Sequence, residues 1–306
     1  MENFKKINLL EKMRMDIKEL SRYYADLRKY EYDNKIPMKN IEIRKKIHSI
    51  LLELIKIDRL LSKETLSVIG DQRVESKRAK IFACTHIGGN DVQRAFEALK
   101  DHAYLFIGDP KEIYRDLTGI LLFLNGAICL ETNDKTDRKI AYERSLELLS
   151  TNTNLLVYPE GAWNITENLP VMGLYPGVSK MQLETGADII PLAIEQYSSD
   201  FYVNIGRNIP YSSDSKDIEY SKRYLRDCLA TLKWEIWDKY GKCKRESITD
   251  EFRQNYQQNI VDKCPYDFTI QDVYDTMFID RNVTDPEDAY IISPKKQFEL
   301  SKKYNS

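Results

Sequence analysis

Between residues 80 and 205 the chain alternates short apolar runs with amphipathic helical segments, and this rhythm constrains the fold more than any other feature. The apolar runs are 80–85, 103–107, 127–130, 154–158, 189–194 and 201–205. Between them, 91–99, 138–150 and 177–185 read as helices; Pro176 precedes the last and Gly186 follows it, the residues that favour a helix start and stop. Parallel strands need a crossover connection, usually a helix, so the alternation predicts a layered α/β structure. Its sheet should be largely parallel or mixed and flanked by helices. Pro210 closes this region, giving an expected α/β domain over residues 75–210.

The two ends have a different texture. Residues 1–74 predict a basic helical region: Leu10, Met13, Ile17, Leu20, Tyr24 and Leu27 recur at helical spacing, and Ile43, Ile47, Ile50, Leu51, Leu54 and Leu61 do so again, with Pro37 between the two sets. The net charge of the whole is only -2, yet residues 1–80 hold 20 Lys+Arg against 13 Asp+Glu and residues 81–306 hold 26 against 35. A basic amphipathic pair of this kind either lies on an anionic membrane surface or packs on a core with its lysines in water. After residue 210 a helix over about 218–240 leads into a tyrosine-rich tail, so residues 211–306 predict a helical and irregular extension that wraps the domain or meets a partner.

Composition removes several classes. The longest uncharged run, 117–130, has 14 residues and is broken by Asn125 and two glycines, too short to span a bilayer. The start of the chain lacks the apolar stretch of a secretory signal, and no lipidation box ends it. The expected location is the cytoplasm, free or peripheral on the inner face of the membrane. Five cysteines without a Cys-x-x-Cys pair predict reduced thiols, and three histidines without a His-x-x-x-His spacing predict no metal site. No nucleic-acid partner is expected, and the oligomeric state is not legible.

Chemistry concentrates at two predicted strand ends. In Cys84-Thr85-His86-Ile87-Gly88-Gly89-Asn90-Asp91 a strand turns through two glycines into a helix, and Asp91 can reach back to one imidazole nitrogen of His86. The pair would then be a general base and its orienter, able to activate a substrate hydroxyl. The blander reading makes Asp91 a helix cap and His86 an ordinary loop residue. Val157-Tyr158-Pro159-Glu160-Gly161-Ala162-Trp163-Asn164, 74 residues on from the first loop, is again a strand entering a turn. It would meet the first loop at one sheet edge, where open α/β sheets bind ligands. Cys84 as a nucleophile, His48 and His102 carry no role in this reading: Cys84 reads as core, His102 as a surface residue at a helix end, and His48 as a residue of a charged helix without a partner.

With these residues in place, the sequence resembles the lysophospholipid/glycerolphosphate acyltransferase family (1-acylglycerol-3-phosphate O-acyltransferase-like) over about residues 75–210. His86-x4-Asp91 matches its His-x4-Asp block, and Tyr158-Pro159-Glu160-Gly161 its Phe-Pro-Glu-Gly block. Gly126-Ala-Ile-Cys-Leu stands at its Gly-x-x-Phe strand and Ile189-Ile190-Pro191-Leu-Ala-Ile at its Val-Pro-Val-Ala strand. The resemblance implies that His86, oriented by Asp91, deprotonates an acceptor hydroxyl that attacks the thioester of acyl-CoA or acyl-carrier protein. It implies that Glu160, Gly161, Trp163 and Asn164 hold the acceptor or its oxyanion. It also implies an acyl-donor thioester as co-substrate, no other cofactor and a lipid or polyol acceptor.

Two positions depart from the family pattern. Arginines that the family uses to hold the acceptor's phosphate are replaced by Thr132 and Trp163. Neither can grip phosphate as a guanidinium fork does. Either Lys135, Arg138 or Lys139 substitutes, or the acceptor's reactive end carries no phosphate, as in a glycan or other neutral alcohol. Two further outcomes are a catalytically silent lipid-binding scaffold and a thioesterase that passes the acyl group to water.

Overall fold

A computed structural model describes residues 4, 6–38, 40–114, 117–166, 169–211, 217–241, 249–264 and 269–277. Cys243, the acids beyond Met277 and the side chains of Leu10 and Met13 lie outside the described residues.

The elements run α1 (Leu9–Arg14), α2 (Ile17–Asp33), α3 (Ile41–Leu61), β1 (Thr65–Asp71), β2 (Lys80–Cys84), α4 (Asp91–Leu99), β3 (Ala103–Gly108), a 3-10 turn (Lys111–Tyr114), α5 (Leu117–Asn125), β4 (Ala127–Leu130) and α6 (Lys135–Ser150). They continue through β5 (Asn154–Val157), α7 (Gly177–Thr185), β6 (Asp188–Tyr197), β7 (Asp200–Ile205), α8 (Ile218–Tyr240), α9 (Asp250–Val261) and α10 (Ile270–Thr276). The seven strands form one sheet in the order β1-β7-β6-β2-β5-β3-β4. All neighbours pair in parallel except β6 with β7, whose antiparallel hairpin turns at Tyr197↔Asp200. The parallel, helix-flanked α/β architecture expected from the alternation is therefore present.

The period-two alternation of the strands sorts side chains to two cores. Phe82 and Cys84 face one side, with Leu105, Leu156 and Ile190, and are covered by Leu51 and Ile55 of α3, Phe96 and Leu99 of α4 and Leu122 of α5. Ile81 and Ala83 face the other, with Tyr104, Leu155 and Val157, under Leu148 of α6, Met181 of α7 and Leu225 and Leu229 of α8. Burial on both faces explains why these strands read as continuous apolar runs. Each fully buried Leu, Ile or Phe here contributes about 1.5–3 kcal/mol of transfer free energy.

The structure corrects the expected helical character of residues 1–74 at its end. Thr65–Asp71 is an edge strand paired in parallel with β7, so the sheet begins ten residues before position 75. An edge strand buries little of either face, and β1 has an irregular burial pattern with a register shift between Val68 and Gly70, which blurs its alternation in sequence. The helices before it end and start around Pro37 as read.

The readings of His48 as unpartnered and of His102 as a surface residue are also corrected. Buried His48 bonds Asn125 Oδ1 through Nδ1 at 2.8 Å, His102 Nε2 meets the Asn125 carbonyl at 2.9 Å, and the two rings lie 5.4 Å apart edge-to-face. Burial holds both below the ordinary histidine range, so this is a neutral packing cluster between α3 and β3.

Candidate active site

The strand ends of β2, β5, β3 and β4 are neighbours in the sheet and all point the same way, so the loops that follow them share one edge. The loop after β2 carries His86. Asp91, first residue of α4 and almost fully buried, turns back on its own loop: a single carboxylate oxygen accepts from the N–H groups of Ile87 at 2.9 Å and Gly88 at 3.0 Å and meets His86 Nδ1 at 2.7 Å. A carboxylate only accepts, so Nδ1 carries the imidazole proton and Nε2 is left with its lone pair. No protein group among the described residues bonds Nε2, and the His86 side chain keeps 18% of its surface open. Gly88 adopts φ +80°, and a Cβ there would press to 3.1 Å from Trp163 and 3.2 Å from Ile260.

The loop after β5 braces the first one. Glu160 is fully buried; one oxygen accepts from the His86 N–H at 3.1 Å and the other from the Met172 N–H at 2.8 Å. Burial pushes its carboxyl up to about 7, against the pull of the two N–H groups and of the Lys233 charge. The Asn164 N–H returns to the His86 carbonyl at 2.6 Å, so the two loops are stitched in both directions. The Tyr158 ring lies tilted against the His86 ring at 4.1 Å between centroids, and Trp163 stands edge-on to it at 6.2 Å.

Four residues expected to touch the acceptor are thereby separated by role. Both Glu160 oxygens are committed to backbone donors, and the Gly161 N–H closes a turn on the Tyr158 carbonyl at 3.0 Å. Asn164 spends its side chain on the Leu169 carbonyl and on Thr166. The hydrogen bonds of these three hold the loop together. Trp163 remains beside His86 while packing into a cluster with Tyr256 and Ile260 of α9 and Ile270 and Tyr274 of α10. The C-terminal extension thus seats against the site: Ile260 lies against Gly88, the Lys263 stem against Gly89, and the Tyr175 hydroxyl donates to the Thr276 carbonyl at 3.2 Å. Nothing in the sequence motifs pointed to this contact.

On the far side, the loops after β3 and β4 meet at Thr132. Its N–H donates to Asp109 Oδ1 at 2.8 Å and its hydroxyl to Asp109 Oδ2, while the Arg138 guanidinium donates to its carbonyl. Lys135 is exposed at the first turn of α6. The guanidinium of Arg28, delivered from α2, is held bidentately by Asp137 and bonds the Tyr114 hydroxyl at 2.7 Å. Tyr175 ties this wall to the turn after β5: its ring covers Gly161, where a Cβ would collide with it, and its hydroxyl feels the charges of both Arg138 and Asp109.

Cys84 is no candidate nucleophile. It is fully buried, its thiol donates to the Thr85 carbonyl at 3.2 Å, and burial raises it well above the ordinary thiol range. No disulfide joins the four described cysteines to one another, and no group of three or more His, Cys, Asp or Glu among the described residues is arranged to hold a metal.

Residues 65–195 match the family model described as Acyltransferase, a segment running from β1 into β6 and containing both loops. Among solved structures the chain is similar to the 1-acyl-sn-glycerophosphate (LPA) acyltransferase PlsC from Thermotoga maritima. The likeness has 14% sequence identity and a TM-score of 0.52, and covers 78% of this chain and 98% of that one. No curated protein sequence matches the chain.

Proposed function

We propose that this chain, whose residues 65–195 match the acyltransferase family model, moves a fatty acyl group from acyl-CoA or acyl-carrier protein to a hydroxyl of a lysophospholipid or glycerolipid acceptor. The observation that carries the mechanism is the 2.7 Å contact of His86 Nδ1 with Asp91, which leaves Nε2 as an open base. Nε2 takes the acceptor's hydroxyl proton as that oxygen attacks the thioester carbonyl. The C–O bond forms, the C–S bond breaks, and the imidazolium returns the proton to the departing thiolate. Asp91 stabilises the imidazolium, and Glu160 holds the His86 backbone in place. The buried, hydrogen-bonded Cys84 supports direct transfer without an acyl-enzyme.

A membrane surface fits this chemistry. α3 buries His48, Leu51 and Ile55, while on its opposite side Ile43, Ile50, Leu54, Ile57 and Leu61 are exposed, joined by Ile120 and Leu124 of α5. No helix among the described residues is long and apolar enough to cross a membrane, so this stripe would bind the interface.

A second reading of the acceptor is favoured by Asp109. Where a phosphate-gripping cation would stand, Thr132 is locked to a carboxylate and Arg138 is bonded to the Thr132 carbonyl. That charge disfavours a phosphate and suits a neutral alcohol or sugar, for which Tyr175 and Trp163 offer aromatic faces.

Transfer from labelled acyl-CoA and acyl-carrier protein to lysophosphatidic acid, neutral lysolipids and sugars, with wild type beside His86→Ala, tests both. A product lost by two to four powers of ten in the variant is expected, about the worth of a general base, and the best acceptor decides its class. Product formation indifferent to His86 refutes the mechanism; donor hydrolysis without acceptor dependence indicates a thioesterase, and folded protein inert to every pair indicates a silent scaffold.

A further inference from the structure

Beneath the catalytic loops lies a charged residue that the mechanism does not use. Lys233, on α8 and outside the matched segment, is 3% exposed and faces β6. Its ammonium donates to the Ile194 carbonyl and pairs with Glu195 at 3.0 Å; Glu195 in turn accepts from Trp237 Nε1 at 2.7 Å. A buried ammonium is costly and persists only where its partners are well placed.

Its place in the sheet is what matters. The β2–β6 ladder ends at Cys84↔Leu192, and the Thr85 N–H extends it by one bond to the Leu192 carbonyl at 3.0 Å. Beyond that point the Thr85 hydroxyl substitutes for backbone, accepting from the Ile194 N–H at 3.0 Å and donating to the Ile194 carbonyl at 3.4 Å. Lys233 takes the same carbonyl from the other side. A continuous chain of contacts therefore runs from Lys233 through Ile194 and Thr85 to His86, whose N–H is held by Glu160.

We propose that Lys233 is a positioning residue for acyl transfer: it clamps β6, just beyond the end of its ladder with β2, against Thr85 and supplies the positive field under the loops that keeps Glu160 an acceptor for the His86 and Met172 N–H groups. The inference rests on the His86 mechanism proposed above. Among the described residues the titratable groups around Glu160 are few. Cys84 and Tyr158 stay neutral, both raised by burial; His86 is matched by Asp91, and Lys263 lies by Gly89 with its charge answered by Glu195 and Glu64. Glu160 feels the charge of Lys233, and Glu195, paired with Lys233 at 3.0 Å, opposes that charge, so removing one or the other should move Glu160 in opposite directions.

The test follows the carboxylic C=O stretch of Glu160 by infrared titration, assigned by its absence in Glu160→Gln, together with the acid limb of kcat. Lys233→Met should move both midpoints up by about one unit, lowering kcat at pH 6 about tenfold with little change in KM. Glu195→Gln should move both down, and Lys233→Arg should restore the wild-type values. Should Lys233→Met not fold, the downward shift in Glu195→Gln and the rescue by Arg decide the matter. Infrared midpoints unmoved by either substitution, or moved in the same direction by both, overturn the proposal whatever the activity. Loss of the His86 mechanism would instead be seen as His86→Ala retaining activity while the infrared shifts persist.

Discussion

Replacing Glu160 by Gln should produce a stability difference whose size depends on pH in a defined way. In the folded protein its carboxyl titrates near 7, against 4.5 for the free group, because it is fully buried. A group whose folded value is raised adds nothing that changes below the unfolded value, and its stabilisation is lost as pH climbs through the folded one. At about 1.4 kcal/mol per unit, the wild type should lose ~3 kcal/mol between roughly pH 4.5 and 7 from this group alone. The variant escapes that loss but turns an amide NH2 toward one of two N–H donors, His86 or Met172, and an unsatisfied buried donor costs about 1–3 kcal/mol. Wild type should therefore be the more stable at pH 5 by about 1–3 kcal/mol, and the two should converge or cross by pH 8. Urea unfolding of both proteins at pH 5, 6, 7 and 8 reads this directly. Parallel curves, with a constant gap across the range, would show that Glu160 is not held as a buried carboxyl between two amides.

Three further outcomes follow from the geometry. Asp91→Asn can keep an oxygen on Ile87, Gly88 and His86 Nδ1 but removes the negative charge that stabilises the imidazolium; turnover should fall by about two to four powers of ten with melting temperature nearly unchanged, and near-normal kcat would sink the stabilising role of Asp91. Changing Leu54 and Ile57 to Glu on the exposed face of α3 should weaken flotation with anionic vesicles by at least about tenfold, since each apolar side chain buried in the interface is worth about 1.5–3 kcal/mol, and unchanged flotation would place the binding surface elsewhere. Thr132→Arg combined with Asp109→Asn should raise kcat/KM for lysophosphatidic acid relative to a neutral lysolipid, whereas an unmoved ratio would show that this wall does not read the acceptor.

The sequence by itself determined whatever depends on near neighbours. Strand and helix periodicity placed Asp91–Leu99, Gly177–Thr185 and Ile218–Tyr240 because each is set by capping and by which face is apolar. The His86–Asp91 contact was legible for the same reason: five residues and two glycines leave the chain few ways to avoid it. Tertiary structure decided everything whose partner lies far along the chain. Thr65–Asp71 becomes a strand only because β7, some 135 residues later, offers it an edge. Glu160 looks like a ligand-facing carboxylate in the motif, yet its oxygens are claimed by backbone N–H groups 74 residues before it and 12 after. His48 and His102 are joined by Asn125, and Lys233 reaches the His86 loop through a carbonyl on β6. Side-chain identity states which bonds a residue can make, and only packing, by removing water from the alternatives, selects which of them it does make.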